Sequence, residues 1–316
     1  IDFSFQAYSK LNELNRQITF DIVQFPNYLS PGLISVLLLN IPIVVRMSSH
    51  SPTWNKSAGF TRNLDIKIIE WLEQAQIRLS KYIFAPSFAL KHLLEQEVGI
   101  NNVKVIRTPF FLETLDWDTT IYSSSLKDKS YFLFFGRFQL HKGFHILAQA
   151  VPYVLERHPD CYAVFVGLDM PSSLNQSMIN YAKLLCVEHT KRLIFIDQIP
   201  HSKLYPIIAG ARFIVLPSIV DNLPNACLEA MSLGKPVIGT FGTSLDELIT
   251  DGITGFLIPA NDVDALSQKI CQVWQCPELD RIGYAAKCKI QEFLPEFTVQ
   301  ELLDYYVEVR KSFVKR

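Results

Sequence analysis

Short apolar runs alternate with segments of helical period along almost the whole chain, and this alternation most limits what it can fold into. The pattern calls for an α/β architecture, with parallel sheets joined by crossover helices. Predicted strands lie at Asp21–Gln24, Ile43–Arg46, Tyr82–Ala85 and Val103–Ile106, with helices near 31–39, 63–80 and 87–97. A second series has strands near 131–135, 161–166, 193–196, 213–216, 236–239 and 255–258. Its helices fall near 143–157, 174–187, 202–210, 224–233 and 263–274. One more amphipathic helix is expected after Pro295, over 298–313.

Two domains follow from this series. The expected division is a first domain over 1–112, a linker over 113–130, a second domain over 131–294 and a C-terminal helical segment over 295–316 that packs back on the first domain. The linker is polar, poor in pattern and carries Ser123-Ser124-Ser125. The second domain is a complete doubly wound sheet. The first opens on Ile1 within a helix-like pattern (Phe5, Tyr8, Leu11, Leu14), without the strand and glycine turn that begin such a domain, so it is expected to be incomplete at its front.

Formal net charge is −1, which gives no basic excess for nucleic acid. The cysteines (161, 186, 227, 271, 276, 288) lie mostly in apolar runs without a CxxC pair, and read as reduced thiols of a cytoplasmic protein with no metal site. The longest apolar stretch, Leu33 to Val45, is broken by Asn40 and Pro42 and is too short to cross a bilayer.

Two motifs carry chemistry. The stretch 221–240 reads DNLPNACLEAMSLGKPVIGT. It follows the strand Phe213–Leu216 and a Pro217-Ser218 break, and reads as a helix begun at Pro224 and stopped by Gly234 and Pro236. Glu229 shares a helix face with Asn225, and helical side chains lean toward the N-terminus. A fixed anion is thereby aimed at polar groups of a ligand whose phosphates would lie at the helix start. In the second motif, the strand ending at Phe135 gives way to Gly136 and Arg137, then Lys142 and Gly143. Gly136 allows close approach to the backbone. Arg137 offers a planar donor fork and Lys142 a compact charge, enough to neutralise a diphosphate without a metal at about 1.5–3 kcal/mol per charge-assisted bond.

Gly136-Arg137 with Lys142-Gly143, then Pro217-Ser218, Asp221 with Glu229-Ala230-Met231, Gly234-Lys235-Pro236-Val237, and Asp251-Gly252 with Gly255-Phe256-Leu257 form an ordered set. The set resembles the nucleotide-binding domain of retaining family 4 glycosyltransferases. The resemblance is close over 131–275 and loose over 20–110, where Phe25-Pro26-Asn27, Val44-Val45-Arg46 and Ala85-Pro86-Ser87 match in style. It implies the GT-B fold: two Rossmann-like, doubly wound domains facing a cleft.

The resemblance also implies roles. Arg137, Lys142 and Asp221 would form the catalytic set, the two cations stabilising the leaving diphosphate. Gly136, Glu229, Leu223, Asn225, Ile199 and His50 would bind the donor. Glu229 would accept the ribose hydroxyls, backbone N–H groups of Leu223 and Asn225 would face the sugar, and Ile199, in Asp197-Gln198-Ile199, would lie near the nucleobase. Asp221 stands where the family has a longer glutamate. His50 lies where the family places a histidine toward the donor sugar, and Ser48 competes for that alignment. The donor would be a UDP- or GDP-linked sugar, used without a metal. The acceptor would be a glycan or a lipid-linked one, reached in the cytoplasm or in peripheral contact with the inner membrane face. Two other readings stand beside transfer: an epimerase of the same fold, and a non-catalytic nucleotide-sugar-binding remnant.

Other features carry less. Asp116-Trp117-Asp118 mimics a metal-binding DxD but sits in the expected linker, and His141 reads as a solvated loop residue. Ser87 after Pro86 reads as a helix cap, Trp54 and Trp71 as packing residues, and Arg310-Lys311 with Lys315-Arg316 as a solvated helix end.

Overall fold

A computed structural model describes residues 2–59, 61–113 and 116–313, so Ile1 and the Lys315-Arg316 pair lie outside the described residues. By their contacts the residues form two compact units. One takes in the chain to Pro109, apart from Ser57–Gly59, and continues from Phe293; the other is Phe110–Glu292 with Ser57–Gly59.

In the first unit the order is α1 (Asp2–Gln17), β1 (Val23–Pro26), α2 (Leu33–Leu38), β2 (Ile43–Arg46), α3 (Ser51–Ser57), α4 (Leu64–Leu79), β3 (Tyr82–Ala85), α5 (Phe88–Glu97) and β4 (Val103–Val105). The strands form a parallel sheet in the order β1-β2-β3-β4. The first strand lies two residues later than the sequence pattern predicts, because Val23 pairs with Ile43 and Pro26 with Arg46. Val45, Met47, Ile83 and Ala85 pack with Ile77, Leu90 and Leu94 on one face. Val44, Tyr82, Phe84 and Ile106 pack on the other with Tyr305 and Val309 from the last helix, Pro295–Ser312. Asn63 caps α4 and Ser87 caps α5 with side-chain oxygens, the role expected of Ser87.

The second unit runs α6 (Thr120–Ser125), β5 (Ser130–Phe135), α7 (Phe144–Arg157), β6 (Cys161–Val166), α8 (Met178–Leu185), β7 (Leu193–Ile196), α9 (His201–Gly210) and β8 (Ile214–Leu216). It continues with α10 (Asn225–Ser232), β9 (Val237–Thr240), β10 (Phe256–Ile258), α11 (Val263–Trp274) and α12 (Leu279–Ile290); the helix Pro295–Ser312 is α13. The sheet is parallel in the order β10-β9-β8-β5-β6-β7. Its core is aromatic: Phe132, Phe134, Phe144, Phe165 and Phe213 pack with the apolar stripes of α7 and α11.

Several expectations change. Within the expected linker, α6 lies on α9, with the Tyr122 ring over Gly210, Leu126 buried, and Asp118 paired with Lys203 at 3.5 Å. Asp118 also accepts the Thr120 N–H, so half of the DxD look-alike serves the start of α6. The helix α12 was not read from sequence, although Leu279, Ile282, Ala286 and Ile290 give it a buried helical stripe. Trp71 is 65% exposed, contrary to a packing role. Cys288 is exposed, while Cys161, Cys186 and Cys227 are buried. Among the described residues no helix is long and apolar enough to cross a membrane.

Candidate functional site

The second sheet reverses its strand order between β5 and β8. Chains leaving those neighbours turn away from each other and leave a crevice at the carboxyl ends of the strands, where open α/β sheets bind ligands. Residues 136–143 follow β5 and residues 217–224 follow β8, so both sequence motifs lie at this point.

The first loop is fixed from below. Phe138 is fully buried, stacks on Phe144 with ring centroids 4.6 Å apart, and its N–H donates to the Leu168 carbonyl at 3.0 Å. The two loops are also fixed to each other. Gly143, with φ of 68°, opens α7, and a β-carbon there would lie 1.8 Å from the Pro217 carbonyl oxygen. The Ile219 N–H donates to the His141 carbonyl at 2.8 Å. Lys142 Nζ donates to Asp221 Oδ2 at 2.7 Å. Asp221 also accepts from Ser218 Oγ at 2.9 Å and from the Asn222 N–H at 3.0 Å, so both its oxygens are engaged.

A cavity of about 290 Å³ opens beside this junction, and Gly136, Arg137, Gly167, Ile199, His201 and Glu229 are among its lining residues. Its floor is bare backbone, since a β-carbon on Gly167 would lie 1.8 Å from the Gly136 carbonyl oxygen. Glu229 is on the second turn of α10 and only 8% exposed. Burial pushes its carboxyl above the usual carboxylate range; the nearby His201 opposes that shift and Glu113 adds to it. His201 Nε2 stands 3.8 Å from Glu229, its Nδ1 stands 3.6 Å from Glu113, and its ring stacks on Tyr205 with centroids 5.4 Å apart. The Arg137 guanidinium and the buried Glu229 carboxyl thus line one cavity together with the backbone of Gly136 and Gly167.

Of the residues singled out from sequence, the cavity unites Gly136, Arg137, Ile199 and Glu229. Lys142 and Asp221 are not among its described lining residues and hold each other at the neighbouring loop junction. Asn225 is the exposed first residue of α10, whose N-cap Pro224 supplies no side-chain cap. Leu223 does not fit its expected role: at φ of 55° its N–H turns inward and donates to Ser244 Oγ at 2.8 Å, so it is not turned to a sugar. His141 is not solvated either. It is 2% exposed, and burial together with the charges of Lys142 and Arg137 pushes its pKa down to about 4 against the opposing pull of Asp221.

His50 belongs to the first unit, in the turn between β2 and α3, buried with Nδ1 2.8 Å from Thr53 Oγ1. The sequence reading missed His201, because it began α9 one residue late. A histidine directly after Pro200, shortly beyond an apolar strand, was the available signal.

The chain is similar to known proteins. The family model "Glycosyl transferases group 1" matches residues 120–288. The chain is 24% identical over 291 residues to UDP-Gal:alpha-D-GlcNAc-diphosphoundecaprenol alpha-1,3-galactosyltransferase of Escherichia coli, covering 88% of this chain and 72% of that protein. It is 23% identical over 251 residues to alpha-D-kanosaminyltransferase of Streptomyces kanamyceticus, covering 77% of this chain and 64% of that one, less than two thirds of its length. Among solved structures, Anabaena HepE in complex with UDP has a TM-score of 0.77 at 18% identity, over 95% of this chain and 82% of that one. At that identity the likeness is one of fold, the two-sheet α/β fold of GT-B glycosyltransferases. With the family model matched over more than half of its residues, the chain belongs to the glycosyl transferases group 1 family.

Proposed function

We propose that the protein transfers a sugar from a nucleotide-diphosphate donor, UDP- or GDP-linked, to a glycan or lipid-linked acceptor, with retention of anomeric configuration, as in family 4. The observation that carries this reading is the shared cavity of Arg137 and Glu229 at the topological switch point. In the reading, the Glu229 carboxylate accepts the two ribose hydroxyls, Ile199 borders the base, and the diphosphate lies over Gly136 against Arg137. The uncapped start of α10, at Asn225, adds N–H groups and a favourable dipole. Lys142 supplies a second cation, held ready by Asp221, and His50 keeps the donor-binding role that the family resemblance gives it. These charges require no metal.

The reaction breaks the bond between the anomeric carbon and the diphosphate oxygen and forms one to the acceptor oxygen, whose proton passes to the departing diphosphate on the same face. Negative charge grows on the diphosphate in the transition state, so donors already fixed around it lower the barrier without reorganising. Two likenesses support the substrate classes: the fold of HepE, solved with UDP, and the Escherichia coli relative, whose name gives a UDP-galactose donor and a diphosphoundecaprenol-linked acceptor. Contact with a membrane surface is proposed only as far as such an acceptor demands it.

Calorimetric titration of UDP and GDP into the wild type and Glu229→Ala tests the site. At least a tenfold loss is expected in the variant, about 1.4 kcal/mol. Equal affinities would remove the ribose role. Donor turnover in the presence of lipid extract separates a transferase from a binding remnant.

A further inference from the structure

The buried side of α4 is partly polar, with Leu72 and Ile77 buried beside three polar residues. The side of α4 turned inward carries Glu70, Glu73 and Gln76, all buried, while Leu64, Ile68 and Trp71 are exposed. Spaced by three residues, the three polar side chains lie along one face. Buried carboxylates and amides are costly unless bonded, so where their bonds go is informative.

Those of Gln76 and Glu73 go to β1 and the loop that leaves it, Glu73 also reaches the start of α3 where the loop from β2 ends, and those of Glu70 go to α3 and to Arg62 beyond it. Gln76 accepts the Gly32 N–H at 2.8 Å and donates to the Pro26 carbonyl at 3.0 Å. Glu73 accepts the Leu29 N–H at 2.8 Å with one oxygen and the Ser51 hydroxyl with the other. Glu70 accepts from Asn55 at 3.0 Å and from Arg62. A direct tie runs alongside: the fully buried Asn27 donates to the Ser49 carbonyl at 2.8 Å and accepts the Ser48 N–H at 2.8 Å. Leu29 and Ser30, with φ of 59° and 48°, sit in the left-handed region that residues with side chains avoid. Such a conformation persists only where the surroundings over-determine it. Of the three α4 residues, Glu73 alone has one oxygen on the loop after β1, at Leu29, and the other at the end of the loop after β2, on Ser51, the first residue of α3 and the one next to His50.

We propose that Glu73 is a positioning residue: it splices the loops after β1 and β2 into one rim and sets the backbone that carries His50. The rim stands at the carboxyl ends of the first sheet's strands, the ligand side of such sheets. Its part in the reaction rests on the transfer reading above; the splice does not. Glu73 is suited to replacement by glutamine, because an amide oxygen still accepts from Leu29 and the amide nitrogen donates to the Ser51 oxygen.

The test is an NMR titration of His50 with donor kinetics in parallel. In the wild type, burial holds the His50 imidazole below its ordinary pKa, against the opposing pull of Glu97 and Glu70. Glu73→Ala opens the rim, and His50 moves up toward an ordinary histidine value, with altered ring resonances. Ser51→Ala, which cuts only one tie, moves it the same way by less and guards against a Glu73→Ala that does not fold. Glu73→Gln stays close to wild type. Transfer kcat falls at least tenfold in Glu73→Ala, while the UDP dissociation constant changes less than twofold. An unchanged His50 titration in both alanine variants overturns the splice. A shifted His50 with undiminished kcat overturns its role in the reaction. A wild type that neither binds UDP nor transfers sinks the transferase reading, and with it the reaction half of this inference, while the His50 signal still decides the splice.

Discussion

The Lys142 ammonium stands 2.7 Å from the Asp221 carboxylate, joining the loops that follow β5 and β8. The Asp221 side chain is 7% exposed and that of Lys142 27%, so the pair is only partly screened by water. In the proposed reaction this cation must serve the diphosphate as well. Asp221→Asn keeps an acceptor for Ser218 but releases the charge of Lys142. UDP affinity is expected to rise a few-fold in Asp221→Asn and to fall about tenfold or more in Lys142→Ala, by calorimetry. Lys142→Ala is also expected to cost about 1–2 kcal/mol in urea unfolding, a figure reduced for the exposure of the lysine. Equal losses of affinity in both variants would mean that the pair does not compete with ligand.

Glu229 is expected to make the proposed donor binding sensitive to acid. Burial raises its carboxyl pKa, and His201 at 3.8 Å counteracts the rise. Above that raised pKa the carboxylate is ionised and accepts hydroxyl hydrogen bonds; as pH falls through it, a proton occupies the site. The association constant for UDP-glucose, whose diphosphate is esterified at both ends, is therefore expected to decline with a midpoint above the ordinary carboxylate range. His201→Gln should move the midpoint higher still. A binding profile flat down to pH 5 in both proteins, with the fold intact by circular dichroism, would refute the assignment.

His141 makes the second unit acid-labile. Its folded pKa of about 4 lies below the ordinary 6.5. The unfolded chain therefore takes up a proton as pH drops through about 6.5, while the folded chain does not until about 4. Stability is complete above pH 7, is lost progressively over that window, and changes no further from this group below it. The full shift corresponds to about 3 kcal/mol. Urea unfolding at pH 7 and pH 4.5 measures it, and His141→Asn is expected to flatten the difference. An equal pH slope in that variant would assign the effect elsewhere.

Apolar runs located nearly every strand because buried parallel strands show a local signal, readable without knowing their neighbours. The error at β1 fits this account: Ile22 and Val23 mark the run, but only pairing with β2 decides that the strand continues to Pro26. Gly136, Arg137 and Glu229 could be singled out because each lies in a strand–loop–helix motif contiguous in sequence. The Lys142–Asp221 pair joins residues 79 apart in sequence, and the burial of His141 depends on a loop that arrives from β8. Neither is encoded within any short window. The inward face of α4 was missed for a related reason, since Glu70, Glu73 and Gln76 look like a solvated stripe until the loops that use them are in place.

The approach of Gly143 to Pro217 has a mechanical consequence. With the two backbones in contact at Gly143 and Pro217, neither loop has room to move toward the other by itself. Any rearrangement on ligand arrival has to carry the arginine–lysine segment and the segment ahead of Glu229 as a single rigid piece. In the proposed reaction, adaptation to different donors would then fall to the lining around Gln198 and His201, which lies outside that joint.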